Sequence, residues 1–147
     1  MQQLDIRTLV AQDFTAWLSL WQDYQALYQI QIARQVTEHT WARLIDPTVT
    51  HMHGFIAYLD QQAVGIVHVV EHESCWTIQP YAYLQDLYCH ENVRGQGIGR
   101  ALIQHIERYA KEKGCDRVYW LTSENNQAAR ALYDRVAKKT GFIQYRI

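Results

Sequence analysis

The chain reads as an α/β protein with a mixed sheet, built as one domain over residues 1–147. Three observations predict this. Two apolar, β-rich runs, Gly54 to Leu59 and Ala63 to Val70, are joined by Asp60-Gln61-Gln62 in the manner of an antiparallel hairpin. A third such run, Tyr83 to Cys89, leads through a glycine-rich turn into the helical stretch Ala101 to Lys113. The length of 147 residues, with 48% hydrophobic and 20% charged content, suits a single core of an ordinary globular protein.

The elements follow in order. Leu4 to Leu9 alternates as a first strand. Asp13 is placed to cap a helix carrying Phe14, Trp17, Leu18, Trp21, Leu27 and Tyr28. Thr37-Glu38 signals a second helix, running through Trp41, Leu44 and Ile45 to a stop at Asp46-Pro47. The hairpin strands come next, then a loop from Glu73 to Pro80 and the Tyr83–Cys89 strand. The helix after the glycine turn stops at Lys113-Gly114, where glycine tolerates a left-handed backbone. Arg117 to Thr122 is a strand, Asn126 to Lys139 a helix, and Phe142 to Arg146 a last strand.

Composition excludes several function classes. A formal charge of −1 argues against a non-specific nucleic-acid binder. No apolar run approaches the ~20 residues of a membrane helix. The polar start Met1-Gln2-Gln3 is no signal peptide, so a cytoplasmic location is expected. Cys75, Cys89 and Cys115 are odd in number and form no C-x-x-C pair, which suits reduced thiols. Among the seven histidines, His51-x-His53 and the pair His68 and His72 attract a metal reading. No acidic or thiol residue completes a convincing ligand set, so no metal is assigned.

The segment Arg94-Gly95-Gln96-Gly97-Ile98-Gly99-Arg100 carries the strongest chemical signal. Glycines let backbone N–H groups approach a ligand closely, and the helix that follows presents its positive end to the same spot. Backbone donors, a helix start and two flanking arginines form a cradle for a diphosphate. The dinucleotide fingerprint is not met, because the glycines fall at positions 95, 97 and 99. Nor does a Gly-Lys-Ser/Thr follow, as a Walker A loop requires.

Arg94, Gly97 and Gly99 match the Arg/Gln-x-x-Gly-x-Gly/Ala acyl-CoA motif of the GNAT N-acetyltransferases. Asn126, Ala129 and Tyr133, followed by Gly141-Phe142, resemble that family's Asn-x-x-Ala-x-x-x-Tyr and Gly-Phe. The two motifs stand in the family's order, and the resemblance is specific from about Tyr83 to Ile147. It implies a mostly antiparallel central sheet splayed in the middle and flanked by about four helices. It also implies acetyl-CoA as acyl donor and direct attack by an amine in a ternary complex.

The resemblance also carries roles residue by residue. The cradle residues Arg94, Gly95, Gln96, Gly97, Ile98, Gly99 and Arg100 would hold the cofactor diphosphate. Backbone groups of Leu87, Tyr88 and Cys89 would pair with the pantetheine arm, one N–H polarising the thioester carbonyl. Asn126 would bind the same arm, or cap its helix, or both. Tyr133 would protonate the leaving thiolate, a task suited to a phenol. The base is open: Asp86, Glu71 and Glu73 are candidates. Asp86 sits at strand spacing from Leu84, and Glu71 and Glu73 at strand spacing from each other. Together these carboxylates suit a cationic acceptor, with Tyr28, Tyr83 and Tyr24 as an aromatic wall.

Tyr133 and Gly141 are eight positions apart, further than the common family pattern, and Asp134 to Thr140 would lengthen the helix. This resembles the histone- and polyamine-acetylating branch, related to aminoglycoside N-acetyltransferases, and implies a homodimer. The expected acceptor is a primary amine of a small polycation. A protein or histone lysine, or a CoA-binding module without catalysis, are the alternatives.

Overall fold

The computed structural model describes residues 2–147. Five strands form one sheet in sequence order: β1 (Leu4–Thr8), β2 (Met52–Leu59), β3 (Gln62–His72), β4 (Tyr81–Cys89) and β5 (Arg117–Tyr119). The first four pair antiparallel and β5 joins β4 in parallel, which gives the mixed α/β sheet that the pattern predicts. Four α-helices flank it: α1 (Phe14–Leu27), α2 (Arg34–Ile45), α3 (Ile98–Lys113) and α4 (Gln127–Val136).

Each face of the sheet has its own core. On one side Phe55, Val67, Val69, Ala82 and Leu84 pack with Leu102, Ile103 and Ile106 of α3, and α4 adds Leu132, Tyr133 and Val136. On the other, Ile56, Ile66 and Tyr88 pack with Trp17, Leu20 and Trp21 of α1 and Trp41 and Leu44 of α2. A sheet buried on both sides explains why β2 and β3 are apolar throughout rather than alternating. Asp60 and Gln61 close the hairpin with φ of 50° and 71°, a two-residue turn with both residues left-handed.

Two departures from regularity shape the site. In the β3–β4 ladder, His68 faces Asp86 while Val69 faces Leu84, so Gln85 is an extra, bulged residue. A bulge reverses the alternation of faces. Leu84 therefore packs against α3, whereas Asp86 meets His68 on the side of α1. The spacing of Leu84 and Asp86 predicts a shared face, and the bulge overturns it.

The second departure is the short pairing of β4 with β5, limited to Tyr81–Arg117, Ala82–Val118 and Tyr83–Tyr119. Beyond Tyr83 the two segments part, and β4 continues to Cys89 without a strand on that side among the described residues. This is the splay that the family resemblance implies.

Other expectations shift. Asp13 stands at the start of α1, but its carboxylate makes no side-chain cap to that helix. It is buried and accepts from both Arg7 NH groups, the Val10 amide and the Tyr58 hydroxyl. Helix α2 starts at Arg34, a turn before the Thr37-Glu38 signal, and Thr37 is buried within it. Strand β5 stops at Tyr119 rather than Thr122. Helix α4 ends at Val136, where its apolar stripe ends and Ala137 becomes extended, so Asp134 to Thr140 do not lengthen it to Lys139. Phe142 to Arg146 form no strand, since no strand edge in the chain pairs with them.

Candidate active site

The unpaired end of β4 leads through the glycine-rich loop into α3. Gly95 and Gly97 both have φ of 81°, a left-handed conformation in which an L side chain is strained. A Cβ at either would meet nothing within 4 Å, so conformation and open approach, not packing, require glycine there. Gly99 has a different reason. A Cβ on it would lie 3.2 Å from Leu132 Cδ2, so its bareness lets α4 close over the start of α3. Gly97 precedes Ile98 at the helix start, and its carbonyl accepts from Ala101. The amides of the first helical turn therefore point outward, toward the loop.

Arg94 is anchored, with Nε donating to the Cys89 carbonyl at 3.2 Å and its guanidinium 5.7 Å from the Tyr88 ring centroid. Gln96 and Arg100 are exposed beside it. Donors and positive charge thus collect on one rim, the arrangement an oxyanion-rich ligand needs.

The three backbone residues placed on the cofactor arm divide by direction. His90 N–H donates to Val64 O across the β3 ladder at 2.7 Å. Alternation then turns Tyr88 toward β3, and leaves the N–H and C=O groups of Leu87 and Cys89 facing the split. The Arg94 bond to the Cys89 carbonyl agrees with this. Burial holds the Cys89 thiol up at about 11, partly offset by Arg94, so it is not a thiolate nucleophile at neutral pH.

Tyr133 lies on α4, half-buried, with its ring 5.4 Å from that of Trp120. Burial pushes its phenol up to about 12, with Tyr28 and Cys89 nearby adding to the shift. Asn126 Oδ1 accepts from the Ala129 amide at 3.4 Å, so Asn126 does cap α4, and its side-chain N–H₂ stays available to a ligand.

Asp86 lies on the α1 side of the sheet, its side chain 15% exposed and 2.9 Å from His68 Nδ1. Tyr24 lies against it, and burial followed by the charge of Asp86 raises the Tyr24 phenol well above its ordinary value. Burial and Asp86 also raise Tyr83. Tyr24 packs on Tyr28 with ring centroids 5.1 Å apart, and Tyr28 in turn neighbours Tyr133. Asp86, Tyr24, Tyr28 and Tyr133 thus follow one another as neighbours. Tyr83 is stacked on Tyr119 at 5.0 Å.

Glu71 is not brought to this line. It lies beside α3, accepting from the Tyr109 hydroxyl at 2.9 Å, with His53 Nε2 3.9 Å away. Glu73 is exposed in the loop just past the end of β3, so it shares no strand face with Glu71. Sequence reading also left His68 and Trp17 outside the site. Trp17 Nε1 donates to His68 Nε2 at 2.9 Å, deep in the core. The only signal for them was their residue types, a histidine within an apolar strand and a tryptophan in an apolar stripe.

Among the described residues there is no cluster of three or more His, Cys, Asp or Glu side chains placed to hold a metal ion. No helix among them is long and apolar enough to cross a membrane.

Known proteins share this architecture and sequence. The sequence model of the acetyltransferase (GNAT) family matches residues 7–137. The D-amino-acid N-acetyltransferase HPA3 of Saccharomyces cerevisiae is 35% identical over 143 residues, which is 96% of this chain and 88% of that protein. A thialysine N-epsilon-acetyltransferase of Caenorhabditis elegans is 32% identical over 101 residues, 65% of this chain and 62% of its own. Among solved structures, the aminoglycoside N-acetyltransferase AAC(6')-Iy in complex with CoA superposes with a TM-score of 0.86 at 17% identity, covering 100% of this chain and 95% of its own.

Proposed function

The chain belongs to the GNAT family of N-acetyltransferases, and we propose that it moves the acetyl group of acetyl-CoA to the primary amine of a small molecule. The observation that carries this reading is the line from Asp86 through Tyr24 and Tyr28 to Tyr133, beside the split and its anion-binding rim. One end offers a carboxylate to take a proton from an ammonium, and the other a phenol to give one to a thiolate.

Acetyl-CoA would enter along the split. Its diphosphate would meet the amides and arginines of residues 94–100, and the N–H groups of Leu87 and Cys89 would face its arm. The family's chemistry supplies the thioester. This chain's part is to hold it, polarise its carbonyl through a β4 N–H, and manage two protons. Asp86 lowers the cost of presenting a free amine, and Tyr133 stabilises the departing sulfur. Glu71 plays no part in this reading, being committed to Tyr109 beside α3.

An amino-acid type of amine comes first as acceptor. A single carboxylate faces the aromatic wall, which suits one ammonium group, and the named relatives from yeast and nematode act on amino-acid amines. Polyamines and aminoglycosides form the second reading, favoured by the rings of Tyr24, Tyr28 and Tyr83, which attract ammonium groups.

Thiol release from acetyl-CoA, measured with D-amino acids, thialysine, spermidine, kanamycin and a histone peptide, tests the proposal. Turnover with the first two is expected, and loss of at least tenfold in kcat/KM for Asp86→Asn. Turnover with spermidine or kanamycin alone would move the second reading to first place. Turnover with the histone peptide alone would make the acceptor a protein lysine. Acetyl-CoA binding without turnover on any amine would overturn the enzymatic reading.

A further inference from the structure

We infer that Trp17 is a positioning residue for the reaction: its indole N–H fixes His68 as a neutral Nδ1–H imidazole, which in turn holds Asp86 as the proton acceptor. The inference rests on the assignment of Asp86 as the base. It comes from a three-member chain of hydrogen bonds that runs from the core to the edge of the site.

The chemistry of the three groups leaves one arrangement. An indole nitrogen is a donor only. Trp17 Nε1 stands 2.9 Å from His68 Nε2, so Nε2 must accept and carries no proton. The imidazole proton then resides on Nδ1, which stands 2.9 Å from Asp86 Oδ2 and donates to it. Asp86 must therefore be the ionised partner on that oxygen. Protonating His68 at Nε2 would set two N–H groups against each other in a place where Trp17 is 0% and His68 4% exposed. No water can relieve that clash, so the imidazolium form is suppressed.

Packing removes the alternative geometries. The Trp17 ring is held by Phe14 at 6.3 Å, Trp41 at 4.9 Å and Trp21 at 6.0 Å. Trp21 sets its edge against His68 at 5.0 Å. Facing Asp86 are the Tyr24 phenol from α1 and Tyr83 from its own strand. Both are neutral phenols near neutral pH. The imidazole thus cannot swing to bring Nε2 toward Asp86, and no cation on these elements competes with the acceptor ammonium for the carboxylate.

The consequence is a carboxylate of defined orientation. With the Nδ1–H of His68 on Oδ2, Asp86 is held with its other oxygen, Oδ1, free for the acceptor. In the proton step an N–H bond of the acceptor ammonium breaks and an O–H bond forms on Asp86 Oδ1, the oxygen that His68 does not use. The freed lone pair then attacks the thioester carbonyl, the C–S bond breaks, and the thiolate takes the Tyr133 proton while the nitrogen's second proton passes back to Tyr133. Asp86 later gives the proton it holds to solvent, and His68 keeps its own Nδ1 proton throughout. If the indole N–H were lost, the Nε2–H tautomer would become available and Nδ1 would no longer be fixed as the donor that orients Asp86.

The test uses the full chain with ¹⁵N-labelled histidine. The His68 ring nitrogens are observed by long-range ¹H–¹⁵N correlation and assigned by their disappearance in His68→Gln. The native protein should show a neutral ring with its proton on Nδ1 at about pH 7. Trp17→Phe, which keeps a ring in the core but no donor, should let the Nε2–H tautomer appear. It should also lower kcat/KM for the amine roughly tenfold, with KM for acetyl-CoA unchanged. A native His68 that carries its proton on Nε2 overturns the inference with no variant needed. So does a Trp17→Phe protein whose His68 spectrum and kcat/KM match the parent. Failure of the Asp86 assignment is a separate result: Asp86→Asn would retain its kcat/KM while the native His68 tautomer stood as described.

Discussion

At the scale of single residues, the two groups proposed to handle protons differ in their neighbours. Asp86 is only partly buried and keeps a carboxylate within reach of an incoming ammonium. Tyr133 is also partly buried, and burial, Tyr28 and Cys89 hold its phenol up at about 12. A raised phenol pKa means the proton is present throughout the neutral and mildly alkaline range, so an acid is available wherever the amine is free. Activity should not fall from Tyr133 ionisation until pH approaches that raised value. Tyr133→Phe is expected to lower kcat by roughly 10²-fold, the usual size of a general-acid contribution. Calorimetric binding of acetyl-CoA should change little, because the ring and its contact with Trp120 remain. A kcat within a factor of about two of the parent would end the acid role.

At the scale of elements, two irregularities do more than any regular segment. The bulge at Gln85 turns Asp86 toward α1 and leaves Leu84 in the α3 core. The three-residue pairing of β4 with β5 then leaves the rest of β4 with unpaired backbone groups facing an opening. A buried backbone group without a partner is costly, so such an edge is stable only where water or a ligand satisfies it. The glycine loop supplies the matching donors at its mouth. Gly97→Ala isolates the conformational part of that design, because a methyl there touches nothing within 4 Å and only the φ of 81° is strained. It should cost about 1 kcal/mol of stability in chemical denaturation and weaken acetyl-CoA binding as the first-turn amides shift. Unchanged stability and affinity together would show that the loop relaxes without consequence.

At the scale of the whole molecule, the two cores have different depths of cover. Helices α1 and α2 close the face that bears Asp86, and α3 closes the other. Past Val136 the chain leaves the core, and Phe142, Ile143, Tyr145 and Ile147 are each at least 76% exposed. Four large apolar side chains within six residues is more than a lone chain normally leaves in water. This supports the homodimer reading, with the segment from Gly141 covered by a second copy. Truncation after Thr140 should convert a dimer to a monomer in sedimentation velocity while the two cores keep their melting behaviour. A parent that sediments as a monomer at micromolar concentration would retire it.

Much of this was legible from residue order. The strands β2, β3 and β4 and the helix α3 announce themselves by apolar runs, by Gly114 and by the glycine loop, because local backbone preference and burial agree there. The segment after Val136 misled because it satisfies helix and strand patterns locally. It has no neighbour to pack against, and an isolated strand has nothing to bond. Among site residues, Tyr133, Asn126 and the 94–100 loop are marked by motif spacing. Glu71 was a candidate only by type, and Tyr109 claims it.

The sequence by itself determined the family, the α/β order of elements and the glycine-rich loop before α3, since each is written in contiguous residues with local preferences. Only the tertiary structure decided which carboxylate meets His68 and Tyr24. That choice depends on one extra residue in a strand ladder, and a period-two pattern read along β4 cannot register it. It also decided that His68 and Trp17 stand behind Asp86. Those contacts join positions 51 and 18 residues apart; the packing of α1 across the sheet makes the first, and the pairing of β3 with β4 makes the second.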